Sequence, residues 1–290
     1  MSNAIYIVDV FAESKFEGNQ LAVVIDKLKL STNIMQKIAR EINFSETTFV
    51  TGFDLSKKIF NVRIFTPYEE LPFAGHPTLG TAFICQRELI KSQVDSLTLD
   101  LKAGMIPVTF DRKENETILW MKQLNPQFGD LYGAKDFSDI LNLDPSDFDV
   151  KFPIQEVSTG VWFYIIPLKT RKAIKRMKLN VDKLNSLSAK HQAKWPLVFC
   201  PEPESSSNHL KARMVNSWTE DPATGSANGC LAGYLVKHRY FASTNIDIRI
   251  EQGSEVGRPS LLYLKAEDKG ASIDVRVGGK VMLVAKGELL

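Results

Sequence analysis

Apolar and polar residues alternate in short runs along most of this chain, which is the pattern of half-buried β-strands. These runs predict strands at 5–11, 21–25, 43–50, 59–66, 96–101, 105–110, 117–121, 161–166, 196–199, 211–215, 246–250, 261–265, 272–277 and 280–286. Helical spacing of apolar residues predicts helices at 31–41, 74–89, 134–141 and 223–240, the first of them capped by Ser31 or Thr32. The pattern therefore indicates a mixed α and β protein.

The helix at 74–89 is predicted to carry an apolar face. Pro77 suits its first turn, and the apolar face is formed by Leu79, Ala82, Phe83 and Leu89. Residues 127–188 are more polar, and the pattern predicts only one helix, at 134–141, and one strand, at 161–166, in that region.

The chain matches itself at an offset of 150 residues. Five residues of the segment 63–82 recur at the same spacing, since Arg63, Glu70, Pro72, Gly75 and Ala82 match Arg213, Glu220, Pro222, Gly225 and Ala232. In both copies the predicted order is strand, proline-containing loop, glycine and helix. Two similar structural units are therefore expected.

Each copy places a glycine-containing loop before the N-terminus of a helix. Unpaired backbone N–H groups and the helix dipole favour an anion at such a place. If the two copies face each other, both helix ends reach one cleft, and a small carboxylate-bearing molecule is the expected ligand. The alternative is that the glycines serve only tight turns against the sheet.

Composition excludes several classes of function. The 290 residues are 44% hydrophobic and carry 36 basic and 34 acidic side chains, so the formal charge of +2 provides no general attraction to nucleic acid or to an anionic membrane. No apolar stretch approaches the roughly 18 residues of a membrane-spanning helix. Asp9 interrupts the N-terminal apolar run too early for a secretory signal. A cytoplasmic protein without nucleic-acid or membrane partners is expected.

The Lys-rich stretch at 169–178 has two interpretations. A run of basic residues suggests nucleic-acid binding. Aromatic residues do not alternate with the basic ones here, however, as they do in single-strand binding surfaces. A solvated helix or loop face is therefore the favoured interpretation.

Several segments, in the right order, resemble the PhzF family, the phenazine-biosynthesis-like isomerases. They are VDVFAESKFEGNQLAVV at 8–24, NFSETTFV at 43–50, RIFTPYEELPFAGHPTLGTAF at 63–83, RMVNSWTEDPATGSANGCLAGYL at 213–235, EQGSEVGRPS at 251–260 and VRVGGKVMLVAKGEL at 275–289. The resemblance covers almost the whole chain. It implies an α+β fold like that of diaminopimelate epimerase, with two pseudo-symmetric domains that each close a curved, mostly antiparallel sheet around a central helix.

The same resemblance implies domain limits and an assembly. The N-terminal domain is expected at 1–118, completed by a C-terminal strand from 278–290, and the C-terminal domain at 119–277. An active site between the domains is implied. The family usually forms homodimers and requires no metal or organic cofactor.

The resemblance also assigns site residues. Glu46 occupies the position of the family's catalytic acid/base, and His76, Asp221 and Ser226 fall on polar positions around the substrate. Substrate binding is expected at Gly75 and in an anion-binding nest formed by Ser226 with the backbone N–H groups of Gly225 and Ala227. Two departures from the family pattern are Gln20, where a proline is common, and Asn228, where some members carry a histidine.

Cysteine positions restrict the mechanism. Related racemases and epimerases place a cysteine immediately before the glycine of each loop, and here those positions hold Ala74 and Thr224. A mechanism with two opposed thiols is therefore excluded. The three cysteines are odd in number and lack metal-ligand spacing, so buried, unpaired thiols are expected at Cys85, Cys200 and Cys230.

A single carboxyl group can remove a proton from carbon and return it elsewhere on the same face of a conjugated substrate. That action suits a tautomerisation better than a stereoinversion, which needs groups on opposite faces. Partial burial of Glu46 beside Phe44 and Phe49 is expected to favour its protonated form near neutral pH. The alternative is an exposed glutamate at the start of a strand.

The other candidates also have structural alternatives. His76 is expected either to bind a substrate carboxylate or relay a proton, or to cap the loop. Asp221 is expected to orient a ligand group, to be the N-cap of the following helix, or both. For Arg63 and Arg213 structural ion pairing is favoured over substrate contact. Arg258 is expected either to hold an anion or to belong to a tight turn.

The function favoured by these observations is a cofactor-independent isomerase that acts on a small carboxylate-bearing molecule. A non-catalytic anion-binding protein is the first alternative. A hydrolase is the second, because Ser226, His76 and an aspartate are present. The segment TGSANG at 224–229 is not the G-x-S-x-G elbow of such enzymes, and this disfavours the hydrolase.

Overall fold

We analysed a computed structural model that describes residues 2–113, 116–216 and 219–290. Ser217 and Trp218, inside the family-like segment 213–235, lie outside the described residues. The chain divides into two compact units. The residues up to Lys122 form the first unit together with Gly278–Leu290, and Gln123–Val277 form the second.

The first unit is a sheet with two helices. Its strands are β1 (Asn3–Val10), β2 (Asn19–Ile25), β3 (Glu46–Asp54), β4 (Ile59–Phe65), β5 (Glu70–Leu71), β6 (Ser96–Leu101), β7 (Gly104–Lys113), β8 (Glu116–Lys122) and the C-terminal β18 (Val281–Leu289). Its helices are α1 (Thr32–Ile42), with the Ser31 side chain as N-cap, and α2 (Gly75–Ile84), which continues as a π-helical turn over Cys85–Ile90. The C-terminal strand β18 pairs antiparallel with β1.

The second unit contains a sheet with four described helices. Its strands are β9 (Gln127–Tyr132), β10 (Ile154–Ser158), β11 (Trp162–Pro167), β12 (Trp195–Cys200), β13 (Leu210–Val215), β14 (Glu220–Asp221), β15 (Asn245–Gln252), β16 (Ser260–Asp268) and β17 (Ile273–Gly279), whose last two residues belong to the first unit. Its helices are α3 (Ala134–Leu141), α4 (Arg171–Arg176), α5 (Val181–Ser188) and α6 (Gly225–Lys237), and short 3₁₀ turns lie at Pro145–Asp147 and Ser254–Val256.

The two units share one strand order. In the first unit β1–β2, β3–β4 and β6–β7 are antiparallel, whereas β2–β3 and β4–β6 are parallel. In the second unit β10–β11, β12–β13 and β15–β16 are antiparallel, whereas β11–β12 and β13–β15 are parallel. The offset of 150 residues is therefore a structural duplication, because β5 and β14, and the starts of α2 and α6, fall 150 residues apart.

The central helix of each unit is enclosed rather than packed by one face. Nine of the ten residues of α2 and eleven of the thirteen residues of α6 are buried. The first contacts β1, β2, β3, β6, β7, β8 and β18, and the second contacts β10, β11, β15 and β16. The apolar face predicted for the helix at 74–89 is only part of its buried surface, because strands surround that helix and bury polar residues such as Thr78 and Thr81 as well. None of the described helices is long and apolar enough to cross a membrane.

The sequence pattern missed five strands and helices of the second unit, namely β9, β10, β14, α4 and α5. All five residues of β10 are buried, and they include the polar residues Gln155 and Glu156. Its sequence therefore lacks the alternation of apolar and polar residues that predicts a strand, and it is as polar as a loop. The Gln155 amide donates to the Gly129 carbonyl oxygen at 3.1 Å, and Glu156 accepts from the Tyr132 hydroxyl at 3.2 Å. These partners are distant in sequence, and alternation of apolar residues cannot reveal them.

The arginines of the duplication form structural ion pairs, as the sequence analysis favoured. Arg63 binds Glu70 through Nε–Oε1 and Nη2–Oε2 hydrogen bonds, both of 2.8 Å. Arg213 binds Glu220 in the same two-bond geometry, at 2.9 and 2.7 Å. Each arginine also bonds to a helix that precedes its own strand in the chain, since Arg63 reaches Thr32 Oγ1 of α1 at 3.0 Å and Arg213 reaches a carbonyl oxygen of α4 at 2.6 Å.

The Lys-rich stretch at 169–178 contains α4, and its charges have internal partners. Lys175 lies 3.1 Å from Glu204, and Arg176 pairs with Asp147. Lys169 donates to the Ser146 carbonyl oxygen at 2.8 Å. The structure supports the interpretation of this run as a surface helix held by ion pairs.

Candidate active site

Glu46 and His76 meet inside the first unit. Glu46 is the first residue of β3, and His76 is the second residue of α2. Side chains alternate along a strand, so Glu46 and Thr48 lie on the same face. Thr48 Oγ1 lies 2.8 Å from Thr81 Oγ1 of α2, which shows that this face points to the central helix. The fold therefore brings together two residues that are 30 positions apart.

The contact joins Glu46 Oε2 to His76 Nε2 at 3.3 Å, and the two side chains are 15% and 7% exposed. A backbone hydrogen bond links the imidazole to Gln20 of β2. Nε2 has no hydrogen-bond partner of good geometry among the described residues, so the bond to Gln20 uses Nδ1. This tautomer turns the lone pair of Nε2 toward the carboxyl group of Glu46.

Burial lowers the pKa of His76 to about 3, although the hydrogen bond to Gln20 opposes the shift. The imidazole is therefore neutral at pH 7, and its contact with Glu46 is a hydrogen-bonding distance rather than an ion pair. A neutral Nε2 can accept the proton of a glutamic acid. The contact can therefore become a hydrogen bond only when Glu46 carries a proton.

The lowered pKa of His76 predicts acid-sensitive folding. The unfolded chain binds a proton at this histidine near pH 6.5 and the folded chain does not, so stability is full above pH 6.5 and falls as the pH drops toward 3. Between pH 7.5 and 5.0, urea unfolding should show that the wild type loses about 2 kcal/mol more than His76→Asn. His238, whose pKa burial also lowers, is present in both proteins. Equal losses would contradict neutral burial of His76.

The expected apolar shelter of Glu46 is only partly correct. Phe49 lies three residues after Glu46 and therefore on the opposite face of β3. It packs with Met35, Ala39 and Phe65 under α1, and its ring meets that of Phe65 edge-on at 5.5 Å. The proposed flanking by Phe49 is thus wrong, since a period of two separates the two side chains. The Glu46 carboxyl group instead contacts His76 of α2.

The N-terminus of α2 has no side-chain cap of its own. Ala74 is the N-cap and makes no side-chain capping bond, and the first turn contains no acidic residue. The carboxyl group near this end is that of Glu46 on β3, which contacts His76. Gly75 stands at the helix end where the sequence predicted a substrate-binding residue.

The corresponding end of α6 is built around Thr224. Thr224 is the N-cap, so the prediction of Asp221 as N-cap is wrong. The Thr224 hydroxyl instead donates to Asp221 Oδ2 at 2.7 Å and accepts from Gln252 Nε2 at 3.0 Å. The Thr224 hydroxyl thus links the side chains of Asp221 and Gln252. Ser226 is half-buried in the first turn, between the buried residues Gly225 and Ala227.

Sequence reasoning missed Gln252. Its amide also donates to the Asp221 carbonyl oxygen at 2.8 Å and accepts from Asn228 Nδ2 at 2.9 Å. The next residue, Gly253, has φ +82°, and a Cβ there would lie 2.5 Å from the Pro222 carbonyl oxygen. The signal for Gln252 in the sequence was the family-like segment 251–260, which begins EQG. Gln252 of this segment bonds to Asp221, just before α6.

The turn that follows involves the backbone of Arg258. Its N–H donates to the Gly253 carbonyl oxygen at 3.0 Å, and its carbonyl oxygen accepts from Ser260 Oγ at 3.0 Å. Gly257, immediately before it, has φ +69°. The tight-turn interpretation of Arg258 is therefore confirmed for its backbone.

The three cysteines are buried and unpaired, as predicted. Burial raises the pKa of Cys200 to about 11 and that of Cys230 to about 12, and it raises the pKa of Cys85 further. The positions that hold thiols in related racemases are the N-caps Ala74 and Thr224. Thiolate chemistry is therefore absent from both helix ends.

One group of side chains has the composition of a metal site. Asp130, Glu156 and His191 each offer a ligand atom, and these atoms lie within 4.8 Å of one another. Tyr132 bridges the group, with its hydroxyl 2.8 Å from His191 Nδ1 and 3.2 Å from Glu156. This hydrogen-bonded network joins β9, β10 and the segment after α5. Sequence spacing did not suggest it.

The chain is similar to the phenazine biosynthesis-like protein family, PhzC-PhzF, whose model matches residues 8–287. It is 34% identical over 293 residues to trans-2,3-dihydro-3-hydroxyanthranilate isomerase of Pseudomonas aeruginosa, with 97% of each chain covered. It is 31% identical over 297 residues to an uncharacterized isomerase of Clostridium acetobutylicum, with 99% of this chain and 97% of the relative covered.

Solved structures agree with this similarity. A PhzF-family phenazine biosynthesis protein of Bacillus anthracis superposes with a TM-score of 0.90 at 28% identity, and all of both chains is covered. A probable proline racemase of Agrobacterium radiobacter superposes with a TM-score of 0.64 at 9% identity, over 100% of this chain and 93% of the racemase, which shows a common fold alone. The expected diaminopimelate epimerase-like fold is confirmed.

Proposed function

The chain belongs to the phenazine biosynthesis-like PhzC-PhzF family and is an isomerase, and from that premise we propose that Glu46 moves a proton within a small carboxylate-bearing substrate. The observation that carries the proposal is the 3.3 Å contact between Glu46 Oε2 and the buried Nε2 of His76 at the start of α2. It supports one acid/base carboxyl group beside an anion-binding helix end.

The proposed reaction begins with binding of the substrate carboxylate at the N-terminus of α2. The N–H groups of Gly75 and His76 and the helix dipole favour a negative charge there. The N-cap residue Ala74 makes no side-chain hydrogen bond to this end. The carboxylate is thereby oriented, and a neighbouring carbon is held near Glu46.

The proton then moves through one residue. The Glu46 carboxylate takes a proton from a C–H bond, and the electron pair passes into the conjugated system of the substrate. The resulting glutamic acid returns the proton to another carbon of that system on the same face, and the substrate double bond shifts. Atoms and electrons balance within the substrate and one carboxyl group, so this step requires no cofactor.

His76 has a supporting role in this scheme. Its neutral Nε2 accepts a hydrogen bond from the acid form of Glu46, which holds the proton between removal and return. Its lowered pKa keeps it from becoming an imidazolium that would pair permanently with the carboxylate. The histidine thus positions the proton without competing for it.

The test is a conversion screen with the full chain. A panel of small carboxylates is incubated with the protein, beginning with trans-2,3-dihydro-3-hydroxyanthranilate, after which the Pseudomonas aeruginosa relative is named. Chromatography with mass spectrometry should reveal a product of the same mass, and NMR should show that a hydrogen has moved between carbons. Two cleavage products whose masses add up to the substrate plus one water would instead indicate a hydrolase. Binding without any conversion would indicate an anion-binding protein.

A further inference from the structure

A buried glutamine in the second unit has a side chain that the fold does not use. Gln123 follows β8, its backbone N–H donates to the Val275 carbonyl oxygen at 2.9 Å, and only 6% of the residue is exposed. Its amide nitrogen and amide oxygen are both buried, and neither has a hydrogen-bond partner among the described residues. A buried amide without partners costs about 1–3 kcal/mol for each unsatisfied group.

The amide lies against the first two turns of α6. A Cβ at Gly229 would lie 3.0 Å from Gln123 Oε1 and 3.1 Å from Thr159 Oγ1, so the missing side chain of this glycine leaves room for both groups. Thr159 Oγ1 in turn lies 3.5 Å from the Ser226 carbonyl oxygen. Gln123 is therefore next to the helix end at which the sequence analysis placed an anion-binding nest.

A second buried glutamine shows what a structural amide looks like in this unit. Gln155 is 7% exposed, close to the value for Gln123. Its Nε2 donates to the Gly129 carbonyl oxygen at 3.1 Å, and its Oε1 lies 2.7 Å from His238 Nε2. Gln155 thus has partners for both its amide nitrogen and its amide oxygen, as Gln252 does, whereas Gln123 has a partner for neither among the described residues.

We propose that Gln123 is a ligand-binding residue, whose amide pairs with a small carboxylic acid bound at the N-terminus of α6. An amide has N–H donors and a carbonyl acceptor, so its complement is a carboxylate oxygen next to an N–H or O–H donor. The ligand class is an amino- or hydroxy-carboxylic acid. The inference goes beyond the proposed function because it concerns binding by the second unit and requires no proton transfer.

The same geometry assigns a specificity role. Nε2 donates to the carboxylate, and Oε1 accepts from the adjacent amino or hydroxyl group. A ligand without that donor leaves Oε1 buried and unpaired, and a site built on polar pairs discriminates strongly against such a ligand. Gln123 therefore separates amino- or hydroxy-carboxylates from plain carboxylates.

The test compares two probes and two variants of the full chain. Calorimetry should show that wild type binds 2-aminobenzoate more tightly than benzoate. Gln123→Leu should weaken 2-aminobenzoate binding about tenfold and benzoate binding much less, because only the first probe bonds to Oε1. The matched control Gln155→Leu should leave the ratio of the two affinities unchanged. Equal binding of both probes by wild type would overturn the proposal.

Unfolding without ligand separates binding from structure. Gln123→Leu should keep or raise the melting temperature, since it removes an unpaired amide, whereas Gln155→Leu should lower it. An equal loss in both variants would show that the Gln123 amide is bonded inside the folded chain, and would overturn the proposal. An ordered water that stays on this amide in a crystal with bound 2-aminobenzoate would overturn it too. These readouts do not involve Glu46, so a failure of the proposed isomerisation is recognised separately.

Discussion

Glu46→Gln should lower kcat about 10³-fold on the substrate identified by the conversion screen. The substitution keeps the size and hydrogen-bonding capacity of the side chain but removes the group that takes and returns the proton, and such groups contribute about 10²–10⁴-fold to a rate. Glu46 contacts His76 at the N-terminus of α2, and the Glu46 side chain is only 15% exposed. Water has little opportunity to replace it as a base.

Substrate binding should change little in Glu46→Gln, since in the proposed scheme the helix end holds the carboxylate. Steady-state rates and calorimetric affinities separate the two effects. The matched control is Glu41→Gln, an exposed glutamate near the end of α1, which should leave kcat unchanged. Glu46→Asp retains a carboxyl group but withdraws it by about 1 Å, and should be intermediate. A Glu46→Gln protein that keeps more than a tenth of kcat would contradict the assigned role.

Arg213→Met should destabilise the protein by about 3–5 kcal/mol, because it leaves a buried carboxylate without its cation. The side chains of Arg213 and Glu220 are each 10% exposed. Arg213 also donates to the Ile174 carbonyl oxygen of α4 at 2.6 Å. Loss of the guanidinium therefore removes the contacts that join β13 to Glu220 of β14 and to Ile174 of α4. Urea unfolding followed by circular dichroism measures the effect.

The duplication supplies the control for this prediction. Arg63→Met removes the equivalent pair of the first unit, whose side chains are 29% and 22% exposed, so water can solvate the remaining Glu70. The expected cost is about 1–2 kcal/mol. The double variant Arg213→Met with Glu220→Leu should recover much of the stability lost in Arg213→Met, because it leaves no unpaired charge. Equal costs at Arg213 and Arg63 would contradict the argument from burial.

Local pattern was sufficient for much of the fold. Alternating residues identified strands such as β4 and β6 to within a residue of their ends, and apolar spacing with capping residues located α1 and α3. The repeated residues from Arg63 to Ala82 indicate two equivalent units. The strands and helices depend on neighbours along the chain, and the duplication depends on identical residues at a fixed offset, so a single sequence contains both.

The site was only partly accessible from the sequence. Motif resemblance named Glu46 and His76, but their 3.3 Å contact depends on β3 and α2 meeting in space. Phe49 lies on the face of β3 opposite to Glu46, and Asp221 accepts from the Thr224 hydroxyl instead of capping α6 itself. Gln123 gave no signal in the sequence, because a glutamine is written the same whether or not its amide has partners.

The sequence by itself therefore determined the periodic elements, the duplication and the chemical identity of the candidate acid/base. Only the tertiary structure decided which faces are enclosed, which charges are paired and which buried amide lacks a partner. The physical reason is that backbone pattern and capping arise within a few residues. Burial, by contrast, is a property of all the atoms around a group, and it sets both the lowered pKa of His76 and the cost of an unpaired Gln123.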